Sequence, residues 1–226
     1  MKNKGCLIVL EGTDGCGKAT QTKRLLERMQ TEKYPVHAVS FPRYDNPSAA
    51  LVQMYLQGEF GADPHDVNPY AASVFYAVDR YAAWKQEMQR SYEQGHIILC
   101  DRYTTSNAVF QCEKLSADKK PAFLEWLTDL EYDKMGIPAP DLVIWLDMPV
   151  QATLAHTKTR PAKTDNKIDI HEKDADYLER CYENAKYVAR ALGWVPVRCT
   201  DDDGKIKSID DIHNEIWGHV KLMFPA

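Results

Sequence analysis

Continuous apolar runs, rather than alternating ones, set the framework of this chain. Cys6–Leu10 (CLIVL), Val36–Phe41 (VHAVSF), Ile97–Cys100 (IILC) and Leu142–Leu146 (LVIWL) read as strands covered on both faces. That is the condition of a parallel sheet between helices. A fifth run, Val195–Cys199 (VPVRC), is weaker, and Pro196 removes a ladder donor, which predicts an edge strand. Between the runs, apolar positions recur at helical spacing over Lys18–Thr31, Pro47–Gln57, Pro69–Glu93, Lys120–Lys134, Val150–Lys158, Lys173–Leu192 and Ile209–Met223. Alternating strands and helices predict an α/β fold: a three-layer, doubly wound parallel sheet of about five strands in one domain. Ligands of such a sheet gather beyond the carboxyl ends of its strands.

One stretch escapes this pattern. Thr159–Lys173 (TRPAKTDNKIDIHEK) is polar, rich in basic residues and without an apolar face. It reads either as a surface excursion or as a mobile lid over a site.

Composition narrows the class. The chain has 226 residues, 44% of them hydrophobic, enough for a sizeable core in one domain. A formal net charge of -5 argues against a nucleic-acid partner, which usually needs a clustered basic face. Cys6, Cys16, Cys100, Cys112, Cys181 and Cys199 show no C-x-x-C spacing, so neither zinc nor a redox pair is suggested. The opening MKNKGCLIVLEG holds too short an apolar run for a signal peptide, and no segment reaches the roughly 20 apolar residues of a membrane span. A cytoplasmic protein with no membrane partner is expected.

Gly12–Ala19 (GTDGCGKA) carries the chemistry. It follows the first strand, precedes a helix and approaches the P-loop pattern G-x-x-x-x-G-K-[ST]. Glycines at 12, 15 and 17 permit the tight backbone that aims N–H groups at phosphate oxygens, Lys18 reaches the β- and γ-phosphates, and the helix N-terminus favours the anion. Gly12, Thr13, Asp14, Gly15, Cys16, Gly17, Lys18, Ala19 and Thr20 are therefore the expected nucleotide-binding residues. Ala19 departs from the pattern, since a Ser or Thr hydroxyl normally touches Mg²⁺ there. Thr20 does not simply substitute, because adjacent helical residues point about 100° apart. Asp101 and Asp147 each end a strand, on the rim where phosphates and Mg²⁺ gather. Asp101, followed by Arg102 and Tyr103, is the stronger metal candidate; Asp147 reads equally as a turn residue or a helix cap.

From Leu7 to about Tyr187 the chain resembles the thymidylate kinase family. The pieces that carry the resemblance occur in family order: LEGTDGCGKATQ (Leu10–Gln21), FPRY (Phe41–Tyr44), FYAVDRY (Phe75–Tyr81), DRYTTSN (Asp101–Asn107), PDLVIWLD (Pro140–Asp147) and the D-x-x-E-like DIHEKDADY (Asp169–Tyr177). The resemblance implies a kinase that uses ATP and Mg²⁺ to phosphorylate dTMP, supplies dTDP for dTTP synthesis and assembles as a homodimer through helices such as Pro47–Gln57 and Pro69–Glu93. It also implies that Phe41 and Arg43 bind the substrate, with Arg43 holding the dTMP phosphate, that Tyr76 stacks on thymine, and that Arg80 reads its O4. Gly15 stands where some members carry an arginine, so the cation for the transferring phosphoryl is expected from the lid. Arg160 is the candidate, with Lys163 and Lys167 behind it, although Ile170 replaces the arginine of the lid's frequent D-R-x-E. Lys18, Arg102, Arg160 and Asp14 form the expected catalytic set.

The residue types suit these roles on physical grounds. A flat neutral base is held by stacking on an aromatic ring such as Tyr76, and a guanidinium can donate to a carbonyl on its edge. Arg43 and Arg102 can grip a monophosphate bidentately. Asp14 can accept from the sugar 3′-hydroxyl, Tyr103 can occupy the space of a 2′-hydroxyl, and Ser106 and Asn107, expected in a loop, can address the remaining base groups. The plainer alternatives are helix core for Tyr76 and a surface ion pair with Asp79 or Glu87 for Arg80. A deoxynucleoside kinase would share the fold, but it tends toward [DE]RS where this chain has DRY. NKID (Asn166–Asp169) and DDDG (Asp201–Gly204) match guanine-switch motifs in the wrong order. A noncatalytic nucleotide-binding protein is favoured only by Ala19.

Overall fold

The structure is a computed structural model and describes residues 4–153 and 175–224. Its five strands are β1 (Cys6–Glu11), β2 (Val36–Ser40), β3 (Ile97–Asp101), β4 (Leu142–Asp147) and β5 (Val195–Arg198). They form one sheet in the order β2-β3-β1-β4-β5, every neighbouring pair parallel. β1 is central, and every residue from Leu7 to Glu11 is buried. The edge strands β2 and β5 keep exposed positions, and Pro196 lies on an edge as its missing donor requires. Crossovers run to one side for β2 and β3 and to the other for β4 and β5. The switch point therefore falls at the carboxyl end of β1, where a ligand crevice is expected.

The described helices are α1 (Lys18–Thr31), α2 (Ala50–Leu56), α3 (Pro69–Ala83), α4 (Gln89–Glu93), α5 (Thr104–Phe110), α6 (Lys120–Thr128), α7 (Ala175–Ala191) and α8 (Ile209–Lys221). A π-helical turn, Trp84–Met88, joins α3 to α4, and a second, Asp129–Lys134, extends α6. The long periodic stretches 69–93 and 120–134 thus contain local changes of pitch that periodicity does not reveal. α3 begins where Asn68 accepts from the Tyr70 N–H at 2.8 Å with Pro69 in the first turn. α8 is capped by Ser208, which accepts from the Asp211 N–H at 3.0 Å. A helix also starts at Val150, but beyond Thr153 the expected Val150–Lys158 helix lies outside the described residues.

The pleat divides the core. Ile8, Leu10, Leu99, Ile144 and Leu146 face α1 and α8 through Leu25, Met29, Ile216 and Trp217. Leu7, Val9, Ile98 and Cys100 face the opposite side, against Trp84 and Met88. Trp145 joins a cluster built from α5, α6 and α7. Helices cover both faces, which accounts for the unbroken apolar runs of the central strands.

Helix α5 corrects the sequence reading. Ser106 and Asn107 lie on a helix, not in a loop. TTSNAVF is poor in helix formers and has no stripe of its own, yet nearly all of it is buried. The Thr104 and Thr105 hydroxyls are taken up by the carboxylates of Glu131 and Glu11, so tertiary contacts fix the helix.

Candidate active site

The loop between β1 and α1 is shaped by close approach. A Cβ on Gly12 would come within 2.7 Å of the Cys16 sulfur and 3.3 Å of Leu146, so the position needs glycine. Gly17 caps α1 in the left-handed region at φ 93, and no side chain caps the helix. The N–H groups of the first turn have no acceptor within the helix. With the helix dipole, they form an anion cradle that fits nucleotide phosphates. Lys18 is buried and folded back across the loop, its Nζ donating to the carbonyls of Gly12 at 2.7 Å and Thr13 at 3.0 Å. Burial pushes the Cys16 thiol up in pKa, so it packs rather than reacts.

Beneath the loop lies a buried carboxylate. Glu11, 0% exposed, accepts from the Gly12 N–H at 3.0 Å, the Thr105 hydroxyl at 2.5 Å, the Ser106 hydroxyl at 2.8 Å and Arg102 Nη1 at 3.4 Å. Arg102 also donates to Ser106 at 3.2 Å and to Asp14 at 2.5 Å, and its guanidinium stacks 5.0 Å from the centre of the Phe110 ring. Its backbone is in the left-handed region at φ 66, which turns the side chain from the end of β3 back toward the P-loop. Burial alone would lower the Arg102 pKa, but Asp14 and Glu11 raise it, and the net direction is up. Asp101 is half-buried at the end of β3. Burial raises its carboxyl above the ordinary value, with Lys18 and Arg102 opposing and Glu11 and Asp14 adding.

Beside this network opens a cleft of about 530 Å³ of empty space, part of it open to solvent. Asp14, Phe41, Tyr76, Arg80, Arg102, Tyr103, Ser106 and Asn107 all line it, with Pro42, Tyr44, Leu56, Phe110 and Gln111. Size and mixed lining suit a small ligand. Tyr76 is half-buried on α3 and packs edge-on to Tyr55 at 6.3 Å, so it belongs to the cleft wall rather than to a closed core. Tyr103 is fully buried, with its ring 6.0 Å from Phe41 and its hydroxyl donating to the Pro138 carbonyl at 3.1 Å.

The arginines are paired differently from the ion pairs weighed in the sequence. Arg80 meets neither Asp79 nor Glu87. It is 1% exposed, and its Nε and Nη2 donate to Glu131, each at 2.6 Å. Burial opposes its charge, the Glu131 carboxylate supports it, and the net shift is upward. Asp79 and Glu87 instead hold Arg43: Nε donates to Asp79 at 3.1 Å, Nη1 to Glu87 at 2.5 Å, and Nη2 to Ser48 at 2.9 Å. Arg43 follows the cleft-lining Pro42, across a segment whose Phe41–Pro42 peptide is cis, but does not itself line the cleft.

Glu11 and Glu131 were missed by the sequence reading, and Asp79 was weighed there only as a partner for Arg80. Glu131 carried a usable signal: it lies four residues past Leu127 on the buried stripe Phe123, Leu124, Leu127. Asp147 accepts from the Tyr182 hydroxyl at 2.8 Å, which favours neither a cap nor a metal ligand. Asp201–Gly204 is an exposed turn in which Asp201 accepts from the N–H groups of Asp203 and Lys205. Arg160, Lys163, Lys167, the segment 159–173 and NKID lie outside the described residues. Among the described residues, no three acidic, His or Cys side chains gather to hold a metal. Asp101, expected as a metal ligand, is half-buried at the end of β3 with Lys18 and Arg102 among the charges around it, and Ala19 offers no hydroxyl. Nor, among the described residues, is any helix long and apolar enough to cross a membrane.

A P-loop at the switch point of a parallel sheet, with a charged acceptor cleft beside it, defines a P-loop phosphotransferase. The thymidylate kinase family model matches residues 10–216. The chain belongs to that family. It is 31% identical over 220 residues to a probable thymidylate kinase of Pyrococcus abyssi, covering 96% of this chain and 97% of that one. It is 30% identical over 210 residues to a thymidylate kinase of Prochlorococcus marinus, covering 91% and 90%. A solved thymidylate kinase from Candida albicans superposes with a TM-score of 0.67 at 22% identity, covering 97% of this chain and 92% of that one. That likeness speaks for the fold.

Proposed function

We propose that the chain transfers the γ-phosphate of ATP to the 5′-phosphate of dTMP, giving dTDP and ADP, and that residues 1–226 form one kinase domain with a lid at 159–173. The observation that carries this reading is the cleft in which Tyr76, Arg80, Tyr103, Ser106 and Asn107 meet Arg102 and Asp14 beside the P-loop. An aromatic face with neighbouring donors and acceptors suits a pyrimidine, and an arginine between base and P-loop suits a phosphate.

In this reading the P-loop amides and Lys18 hold the donor phosphates. Arg102, anchored by Glu11 and Asp14, orients the acceptor phosphate. Arg43 assists through Nη1, whose partner Glu87 is exposed and so exchanges most readily. Asp14 accepts from the sugar 3′-hydroxyl, and Tyr103 closes the space beside C2′. Positioning and charge neutralisation do most of the work in such a transfer. Mg²⁺, when bound, would neutralise charge on the β- and γ-phosphates, and Asp101 is the residue that would hold it. Arg160 is the lid cation for the transferring group.

The chain also presents Leu51, Val74, Val78 and Tyr81 as exposed apolar side chains on α2 and α3. The spacing 74, 78, 81 is one helical stripe, and it supports a homodimer through this face. The test of function is ADP release with ATP and Mg²⁺ against dTMP, thymidine and dUMP. Faster turnover of thymidine than of dTMP would move the chain to the nucleoside kinases.

A further inference from the structure

Glu131 is a charge at a core position. It projects from the π-helical turn that follows α6 and is 0% exposed. Both carboxylate oxygens are occupied. Oε2 accepts from Arg80 Nε at 2.6 Å and the Thr104 hydroxyl at 3.1 Å. Oε1 accepts from Arg80 Nη2 at 2.6 Å and Asn107 Nδ2 at 3.4 Å. An apolar side chain at this helical position would leave the buried Arg80 guanidinium without its carboxylate, so the glutamate answers to Arg80 rather than to the core around it.

The effect of Glu131 is to fix the hydrogen-bonding polarity of two residues that line the cleft. With Nε and one N–H of Nη2 donating to Glu131, the guanidinium plane is fixed and Nη1 is the arm that Glu131 does not hold. It gives one N–H to the Tyr103 carbonyl at 3.3 Å and keeps a second. Asn107 is flanked by two acceptors, the Ser73 carbonyl at 3.1 Å and Glu131 at 3.4 Å. Only the NH₂ side of its amide can face them, which leaves Oδ1 as the acceptor offered by that residue. The cleft therefore combines a fixed donor from Arg80 with a fixed acceptor from Asn107. A 4-oxo pyrimidine presents the complement, a carbonyl beside an N–H. A 4-amino pyrimidine presents the reverse.

We infer that Glu131 is a positioning residue for base specificity, orienting Arg80 and Asn107 so that the cleft accepts 4-oxo and rejects 4-amino pyrimidine nucleotides. This rests on the reading that the acceptor is dTMP. The wild-type enzyme is therefore assayed first on dTMP and dCMP, and failure to phosphorylate dTMP would defeat that reading whatever Glu131 does.

The variants are Glu131→Gln and Glu131→Asp. A carboxamide must turn its NH₂ toward one of the two Arg80 nitrogens that donate to Glu131, and a side chain one methylene shorter draws the carboxylate back from Arg80 and Asn107. Each variant should lower the dTMP-over-dCMP ratio of kcat/KM by about 10-fold or more, a loss within reach of a mispaired hydrogen-bonding site. The loss should appear as a raised KM for dTMP, with kcat and the KM for ATP held within about 3-fold. Thr104→Val removes one donor from Glu131 without touching a cleft-lining side chain, and should keep the ratio. If Glu131→Gln does not fold, Glu131→Asp, which keeps the buried charge, decides. A folded variant that keeps the wild-type ratio, or that loses kcat and ATP affinity as much as dTMP affinity, would overturn the inference and make Glu131 a structural pair for Arg80 only.

Discussion

Replacing Glu11 tests whether the P-loop and the DRY segment are held together by one buried carboxylate. In the Glu11→Ala variant, the Gly12 N–H, the Arg102 guanidinium and the hydroxyls of Thr105 and Ser106 lose their common, fully buried acceptor. Breaking a buried charged pair from one side costs about 3–5 kcal/mol. Glu11→Gln keeps the shape. Its Oε1 can still accept from Gly12 and Arg102, and its NH₂ can donate to the two hydroxyls, which rotate to accept. What disappears is the ionic assistance to Arg102, worth about 1–2 kcal/mol. The assay is equilibrium urea unfolding of the three proteins, with the midpoint shift read at constant slope. At about 2–4 °C per kcal/mol for a chain of this size, the alanine variant should also melt roughly 6–20 °C lower. A cost below about 1 kcal/mol for Glu11→Ala, or equal costs for the two variants, would refute the claim that Glu11 joins the two segments.

Burial raises the Asp101 carboxyl, so its ionised form opposes folding. That cost is present above the raised folded value and vanishes below the ordinary 3.8. Asp101→Asn should therefore be more stable than wild type at pH 7 in urea unfolding, with the advantage shrinking as pH falls toward 3.8. An advantage that does not change with pH would contradict the assignment. Ala19→Ser restores a hydroxyl at the usual metal position and should lower the Mg²⁺ concentration for half-maximal rate; an unchanged Mg²⁺ titration would show that other groups already suffice. Val78→Glu places a charge on the α3 stripe and should reduce the sedimentation mass from two chains to the 25.8 kDa of one. A wild-type protein already at one chain would remove the dimer from the account.

Much of the fold was legible because it rests on local pattern. The central strands are apolar on both faces, and the glycines of the P-loop fall between a strand and a helix, where only such a loop fits. α5 was not legible, since its helix is made by Glu11 and Glu131, residues distant in sequence that absorb its hydroxyls. Leu56, Phe110 and Gln111 of the cleft wall carried no motif signal, whereas Asp14, Phe41, Tyr76, Arg80, Arg102, Tyr103, Ser106 and Asn107 were reached through motif order. Their partners were not, because Asp79, Glu87 and Glu131 are acidic residues that read in sequence as ordinary helix surface. The pairing of Arg43 with Asp79 and Glu87, and of Arg80 with Glu131, depends on which faces of α3 and the turn after α6 meet, and no local rule specifies that.

The most direct measurement of the central claim is a competition between equimolar dTMP and thymidine for limiting ATP and Mg²⁺, with products separated by chromatography. The account predicts dTDP and ADP in equal amounts, with little dTMP formed from thymidine. Accumulation of thymidine-derived dTMP ahead of dTDP, or ADP release that neither acceptor stimulates, would contradict it.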